Sequence, residues 1–237
     1  MRTHEPRASA LRGAHGGERD GGGRCALRVD RPRVLAGGGG VSVRYQTIVA
    51  DPPWPLPSIT MRSGGRRRRT THVPYPLMTI DAIAALPIEQ LADDDAHLWL
   101  WATRRVFREG WAAAVARAWG FEPVGEVIWG LRNGGLGKFL GNDHEPVLIA
   151  RRGNACFTTS ERIGGVHFWR QTYASGPRAG YRVHSAKPEA FVDFVESVCA
   201  GPYLELFARR HRMGWDVWGN ESANTADMQG KRREIAG

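Results

Sequence analysis

Hydrophobic and polar positions alternate along this chain in two rhythms. Residues Tyr45–Ala50 (YQTIVA) are apolar with β-branched Ile48 and Val49, the pattern of a buried strand. Thr79 is placed to cap a short helix over Ile80–Leu86, which Pro87 ends. Residues 96–102 (AHLWLWA) read as a second buried strand. Thr103 then caps a helix from Arg104 to Trp119 with Gly120 as its stop, and Phe107, Trp111, Val115 and Ala118 share one face. Residues 124–130 (VGEVIWG) and Pro146–Ala150 (PVLIA) predict two further strands. Pro188 suits the first turn of a helix over Glu189–Cys199, with Phe191, Val192, Val195 and Val198 toward a core. Residues 203–208 (YLELFA) and Trp215–Trp218 complete the set as strands. Strands alternating with helices predict an α/β sheet in a single domain, without internal repeats.

Two segments break the rhythm and read as loops: the basic stretch 58–74 (SITMRSGGRRRRTTHVP) and the Gly-, Arg- and aromatic-bearing stretch 158–183. Residues 1–40 are rich in Gly, Arg and Pro and have no apolar period, so they are expected to be disordered. Either they are a flexible basic arm, or they are not natural protein. In the second case the Gly37–Gly40 run translates a ribosome-binding site and Val41 marks a GTG start. The ordered domain is expected over 41–222, with a disordered tail over 223–237.

Charge adds a partner. The 237 residues carry a formal net charge of +9; residues 1–40 hold eight Arg and four acids, a net +4, so +5 remains in the rest. That balance suits a polyanion such as nucleic acid. Cys25, Cys156 and Cys199 are far apart, which predicts neither a disulfide framework nor a zinc site and fits a reducing cytoplasm. No apolar run approaches a membrane span, and the N-terminus lacks a signal-peptide core.

The candidate chemistry begins where the first strand ends, at Asp51-Pro52-Pro53-Trp54. Prolines remove backbone donors and fix φ, so the segment offers a carboxylate and carbonyls with little freedom. Such an acceptor-only rim suits a flat ligand that brings N–H donors. Asp51 and the Pro52 carbonyl can take the two hydrogens of an exocyclic amine while Trp54 stacks on the ring. A second cluster follows near the C-terminus. Lys187 beside a helix start suits a carboxylate ligand, though a surface lysine reads as well. Glu205, an acid between Leu204 and Leu206, is placed to accept ribose hydroxyls. Arg209 and Asn220 add donors, and His184 is either part of this site or a structural histidine. The run Arg66-Arg67-Arg68-Arg69 is placed to grip phosphates, and Trp169, Arg170, Tyr173 and Arg178 to close over a base.

Taken in order, ADPPW, PYPLMT, HLWLWAT, EVIWG, HSAKP, ELFAR and GW–WGNE resemble the DPPW-bearing family of S-adenosylmethionine-dependent N6-adenine methyltransferases, over about residues 44–221. The resemblance implies a Rossmann-like methyltransferase sheet of seven mostly parallel strands, with the catalytic motif ahead of most of the cofactor motif. It implies Asp51, Pro52, Pro53 and Trp54 as the catalytic pocket, with Tyr75 and Trp129 lining the adenine side. It further implies S-adenosylmethionine held by Lys187, Glu205, Arg209 and Asn220, with His184 and Ser185 alongside. His211 matches less closely, and Glu221 stands where relatives carry Gln or Glu. Segment 141–146 (GNDHEP) and Leu77 depart from the family pattern. The expected activity is methylation of adenine N6 in nucleic acid, DNA ahead of RNA, by a metal-free bacterial or phage enzyme, monomer or homodimer. The alternatives are RNA adenine, cytosine N4 or a protein amide as substrate, or a non-catalytic nucleic-acid-binding partner; degenerate partners usually lose the Asp that is intact here.

Overall fold

A computed structural model describes residues 34–36, 41–55, 60–63, 66–69, 76–135, 141–171 and 186–219. The elements in chain order are β1 (Val34–Ala36), β2 (Val41–Val43), β3 (Tyr45–Ala50), β4 (Thr60–Ser63), β5 (Arg66–Arg69), α1 (Ile80–Ala84), a 3-10 turn (Ile88–Gln90) and β6 (Ala92–Trp101). They continue with α2 (Arg104–Arg108), α3 (Trp111–Ala118), β7 (Glu122–Gly135), β8 (Asn142–Arg152), β9 (Val166–His167), α4 (Glu189–Val198), β10 (Tyr203–Leu206) and β11 (Trp215–Trp218).

Seven strands form the main sheet in the order β11-β10-β3-β6-β8-β7-β9. Only β8 runs against the others, pairing antiparallel with both β6 and β7. Strand alternation sends Ile48, Ala50, Leu98, Leu100, Leu204 and Leu206 to one face, where they pack with Ile83, Val106, Val115 and Trp119 of the α1–α3 side. Val49, Trp99, Trp101, Trp129 and Val147 go to the other face and meet Phe191, Val195 and Val198 of α4. The result is an α/β sandwich of three layers. The helices flanking β3 cover opposite faces, so the carboxyl end of β3 is where such a sheet is expected to bind a ligand.

Local rules place the helices well. Thr79 Oγ1 accepts from the Ala82 N–H at 3.1 Å and Thr103 Oγ1 from the Val106 N–H at 3.3 Å. The expected single helix from Arg104 to Trp119 is two. Gly110 adopts φ 73°, a left-handed conformation that ends α2 and starts α3, and Ala118 faces solvent while Trp119 is buried. The basic stretch expected as a loop contains the antiparallel hairpin β4–β5. β1 lies inside the segment 1–40 expected to lack structure and pairs with β2 at the start of the expected domain; residues 1–33, 37–40 and the tail beyond 219 lie outside the described residues. β9 adds a short parallel edge strand within the second expected loop. Among the described residues, no helix is long and apolar enough to cross a membrane, and no group of His, Cys, Asp and Glu could hold a metal ion.

His97, in the middle of β6, is buried and stacks on Phe157 with ring centroids 4.5 Å apart. Burial, with the Arg151 charge nearby, lowers its pKa to about 4. Between the ordinary value of 6.5 and 4, the unfolded chain therefore binds a proton that the folded chain refuses. Stability falls as pH falls through that window, by up to about 3 kcal/mol from this residue. Denaturant unfolding at pH 7.5 and 4.5 should show a larger loss in the parent than in His97→Asn; equal losses would mean His97 is not held neutral.

Candidate functional site

β3 is paired on both sides and delivers Asp51 at its carboxyl end, where the Asp51 N–H makes a last, long contact with the Leu206 carbonyl at 3.5 Å. The chain then turns within two residues, since the Trp54 N–H donates to the Pro52 carbonyl at 2.8 Å. The Trp54 indole N–H donates to the Trp101 carbonyl at 2.8 Å, and the Met78 N–H to the Pro53 carbonyl at 2.9 Å. The motif is thus pinned to β6 and to the start of α1. The Pro52 carbonyl retains a second lone pair for a ligand.

Three distant parts of the chain meet at Asp51. Lys187, just before α4, places its Nζ 3.1 Å from Asp51 Oδ1 and 3.2 Å from Glu145 Oε2. The same ammonium lies 5.1 Å from the centroid of the Trp101 ring. Glu145 gets there because β8 is reversed: the start of β8 lies beside the end of β6. Two carboxylates around one ammonium leave the cluster net negative. Burial opposes the Lys187 charge, but Asp51 and Glu145 outweigh it and hold its pKa above the usual lysine value. Burial raises the Asp51 pKa, with Lys187 pulling it back and Arg209 adding a weaker pull the same way.

Glu205 sits inside β10 in register with Val49. Burial, then the Asp51 charge, push its pKa up to about 7, against Arg210 and Arg212. Just after it, Phe207 takes φ 62°, unusual for a residue with a side chain, and its ring packs edge-on to Trp218 at 5.4 Å. A Cβ at Gly219 would run into the Ala208 backbone, so only glycine lets the ends of β10 and β11 close together here. The loop beyond is tied to α4. Arg210 pairs with Glu189 and Arg212 with Asp193; Arg212 Nε also lies 3.2 Å from Glu196, which accepts from the Trp215 indole at 2.6 Å. These ion pairs link the helix behind Lys187 to the segment that follows Arg209.

The structure brings together Asp51, Pro52, Pro53, Lys187, Glu205 and Arg209. It disagrees with two aromatic assignments. Trp54 is only 4% exposed and Trp129 1%, so neither offers a free ring face for a base. Trp54 braces the motif instead, and Trp129 donates to the Trp169 carbonyl at 3.0 Å, anchoring the segment after β9. His211 is exposed. Tyr75, Tyr173, Arg178, His184, Ser185, Asn220 and Glu221 lie outside the described residues, as do the side chains of Arg66–Arg69. The sequence reading missed Glu145 and Trp101. The signal for Glu145 was an acid directly before the apolar run PVLIA, in a segment set aside for matching poorly.

The donor set fits S-adenosylmethionine, which carries a sulfonium, an ammonium and a carboxylate. A net negative cluster suits its positive charge, the Lys187 ammonium suits its carboxylate, and an acid in β10 suits a ribose diol. Glu205 gives the test. Its folded pKa lies above the unfolded value, so its ionisation costs stability as pH rises from about 4.5 through 7. Glu205→Gln should stabilise the ligand-free protein at pH 8 by up to about 3 kcal/mol while weakening cofactor binding. Thermal unfolding with and without cofactor checks this; a variant that is destabilised, or that binds cofactor normally, contradicts it.

Comparison with known proteins bears on the same span. The MT-A70 family model matches residues 45–221. Among curated relatives, the type II methyltransferase M.MunI of a Mycoplasma species is 26% identical over 192 residues, covering 75% of this chain and 78% of that protein. The human N(6)-adenosine-methyltransferase catalytic subunit METTL3 is 27% identical over 194 residues, covering 75% and 28%. The N6-methyladenosine RNA methyltransferase MTA1 of Pyricularia oryzae is 29% identical over 193 residues, covering 75% and 46%. The chain thus spans most of the first relative and less than half of the other two. With the matched span running from β3 past β11, and so over every strand of the main sheet, the chain belongs to the MT-A70 family.

Proposed function

We propose that this protein transfers a methyl group from S-adenosylmethionine to the N6 amine of adenine in DNA. The observation that carries the reading is the Asp51–Lys187–Glu145 cluster at the carboxyl end of β3. Here an acceptor-only, proline-fixed rim adjoins a net negative pocket. Lys187, Glu205 and Arg209 would hold the cofactor, which when bound supplies an electrophilic methyl on a sulfonium.

The protein's part is to present the amine. An adenine N6 lone pair is delocalised into the ring, so the nitrogen is a weak nucleophile. Hydrogen bonds to Asp51 and the Pro52 carbonyl draw the NH₂ group toward tetrahedral geometry. They strengthen as positive charge builds on nitrogen, which is the selective stabilisation that lowers a barrier. As the N–C bond forms and the S–C bond breaks, Asp51 is the acceptor for the displaced proton. In the ligand-free cluster, the Lys187 ammonium satisfies the Asp51 carboxylate. A base paired in a duplex hides its amine, so the substrate adenine is flipped out or single-stranded.

The DNA reading is supported by the match across most of a compact type II methyltransferase, against partial matches to the longer adenosine- and RNA-named relatives. A bacterial style of sequence, rich in Arg, Ala and Gly, agrees with it.

Asp51→Ala should lower turnover by about 10³-fold or more while keeping cofactor affinity within about tenfold. Near-normal turnover would remove Asp51 from the chemistry. Incubation of the full chain with methyl-labelled cofactor and matched DNA and RNA pools, followed by nucleoside analysis, should place the label on N6-methyldeoxyadenosine. Label on a cytosine, or on RNA alone, contradicts the assignment.

A further inference from the structure

Two partners compete for the Asp51 carboxylate. The proposed reaction needs it as acceptor for an amine on which positive charge grows. In the ligand-free protein the Lys187 ammonium already sits on it, with Nζ 3.1 Å from Oδ1. An ammonium in that place opposes the reaction in two ways. It draws off acceptor strength that the amine would use, and its charge repels the charge developing on the amine nitrogen. The contact also matters to Asp51 itself. Burial raises the carboxyl pKa, and Lys187 supplies the largest opposing pull. Whatever draws Lys187 off therefore leaves a half-buried carboxylate in need of a new donor.

Lys187 can leave Asp51 without leaving the site. Its Nζ is also 3.2 Å from Glu145 Oε2 and 5.1 Å from the centroid of the Trp101 ring. Trp101 is itself fixed, with its ring edge-on to Trp129 at 5.9 Å and to Phe191 at 4.7 Å. A lysine ammonium has three donors on a flexible stem, so Glu145 and Trp101 keep it in place while one donor is redirected.

Resting on the adenine-methylation reading, we infer that the Lys187–Asp51 contact is an autoinhibitory latch, which withholds Asp51 from a nucleobase amine until Lys187 is drawn to the carboxylate of the cofactor. Glu145 is the pivot, a positioning residue that holds the ammonium before and after the change. Cofactor binding therefore precedes capture of the amine. The latch adds nothing to the chemistry; it keeps a base from being gripped by a protein with no methyl group to give.

The test uses a ligand with the carboxylate, a ligand without it, and a base with and without the amine. S-adenosylhomocysteine carries the amino-acid carboxylate; 5′-methylthioadenosine keeps the adenine, ribose and sulfur and lacks it. Single-stranded DNA pools of random sequence would contain either adenine or purine, which lacks only the amine. Fluorescence anisotropy of the full chain should show a preference for the adenine pool of about tenfold with saturating S-adenosylhomocysteine, the worth of a hydrogen bond to a charged group. With no ligand, or with saturating 5′-methylthioadenosine, the preference should be absent. In Lys187→Met it should appear with no ligand at all. That variant should bind S-adenosylhomocysteine more weakly but 5′-methylthioadenosine as the parent does, which shows that it folds. A preference in the ligand-free parent, equal preferences with the two ligands, no preference in any arm, or a Lys187→Met protein that still needs S-adenosylhomocysteine would overturn the inference. The parent arms decide this without any variant. Product analysis keeps the failures apart: N6-methyldeoxyadenosine formed without a ligand-dependent preference removes the latch alone, and label on another base removes the reading beneath it.

Discussion

One ammonium held between two carboxylates organises this molecule's functional end. Lys187 is half-buried, and an unpaired charge there would be costly. Asp51 and Glu145, each at hydrogen-bonding distance, make its charge tolerable, and their combined charge exceeds it. The cluster therefore joins the ends of two strands, β3 and β8, and one helix start while leaving an excess of negative potential. On the reading proposed above, that excess would suit a cationic methyl donor better than a simple anion.

The rest of the fold can be understood as the support of that cluster. β3, in the middle of the sheet, carries Asp51 to its carboxyl end, between helices on opposite faces. The reversal of β8 brings Glu145 to the same edge, which a parallel strand in its place would not do. The ion pairs from Arg210 and Arg212 to α4 tie the Lys187 helix to the β10 segment that holds Glu205 and Arg209. Trp54 and Trp129 spend their indole N–H groups on carbonyls of neighbouring segments, so two residues with an apparent ligand role instead hold the walls in place.

Much of this was legible in the sequence because local rules governed it. β-branched and aromatic runs marked the strands, Thr79 and Thr103 marked helix starts, and prolines after Asp51 announced a stiff acceptor rim. What was not legible depended on pairing across the chain. Gly110 could be read as a tolerated helix interior residue until its left-handed φ was seen. The arginine run looked like a solvated loop because like charges disfavour a ribbon, and its pairing with β4 is visible only in register. Glu145 was passed over because the direction of β8, which decides where its first residues lie, is not written in the strand itself. Trp54 and Trp129 were assigned to ligands because an aromatic beside a motif reads the same whether its ring faces a pocket or a core.

The most direct measurement of the central claim is calorimetric titration of the protein and its Glu145→Gln variant with S-adenosylmethionine and with the demethylated product S-adenosylhomocysteine, which lacks the sulfonium charge. If the excess carboxylate selects the cation, the variant should lose preference for the methylated form on the order of tenfold while its affinity for the product changes little. An unchanged ratio of the two affinities would contradict the account.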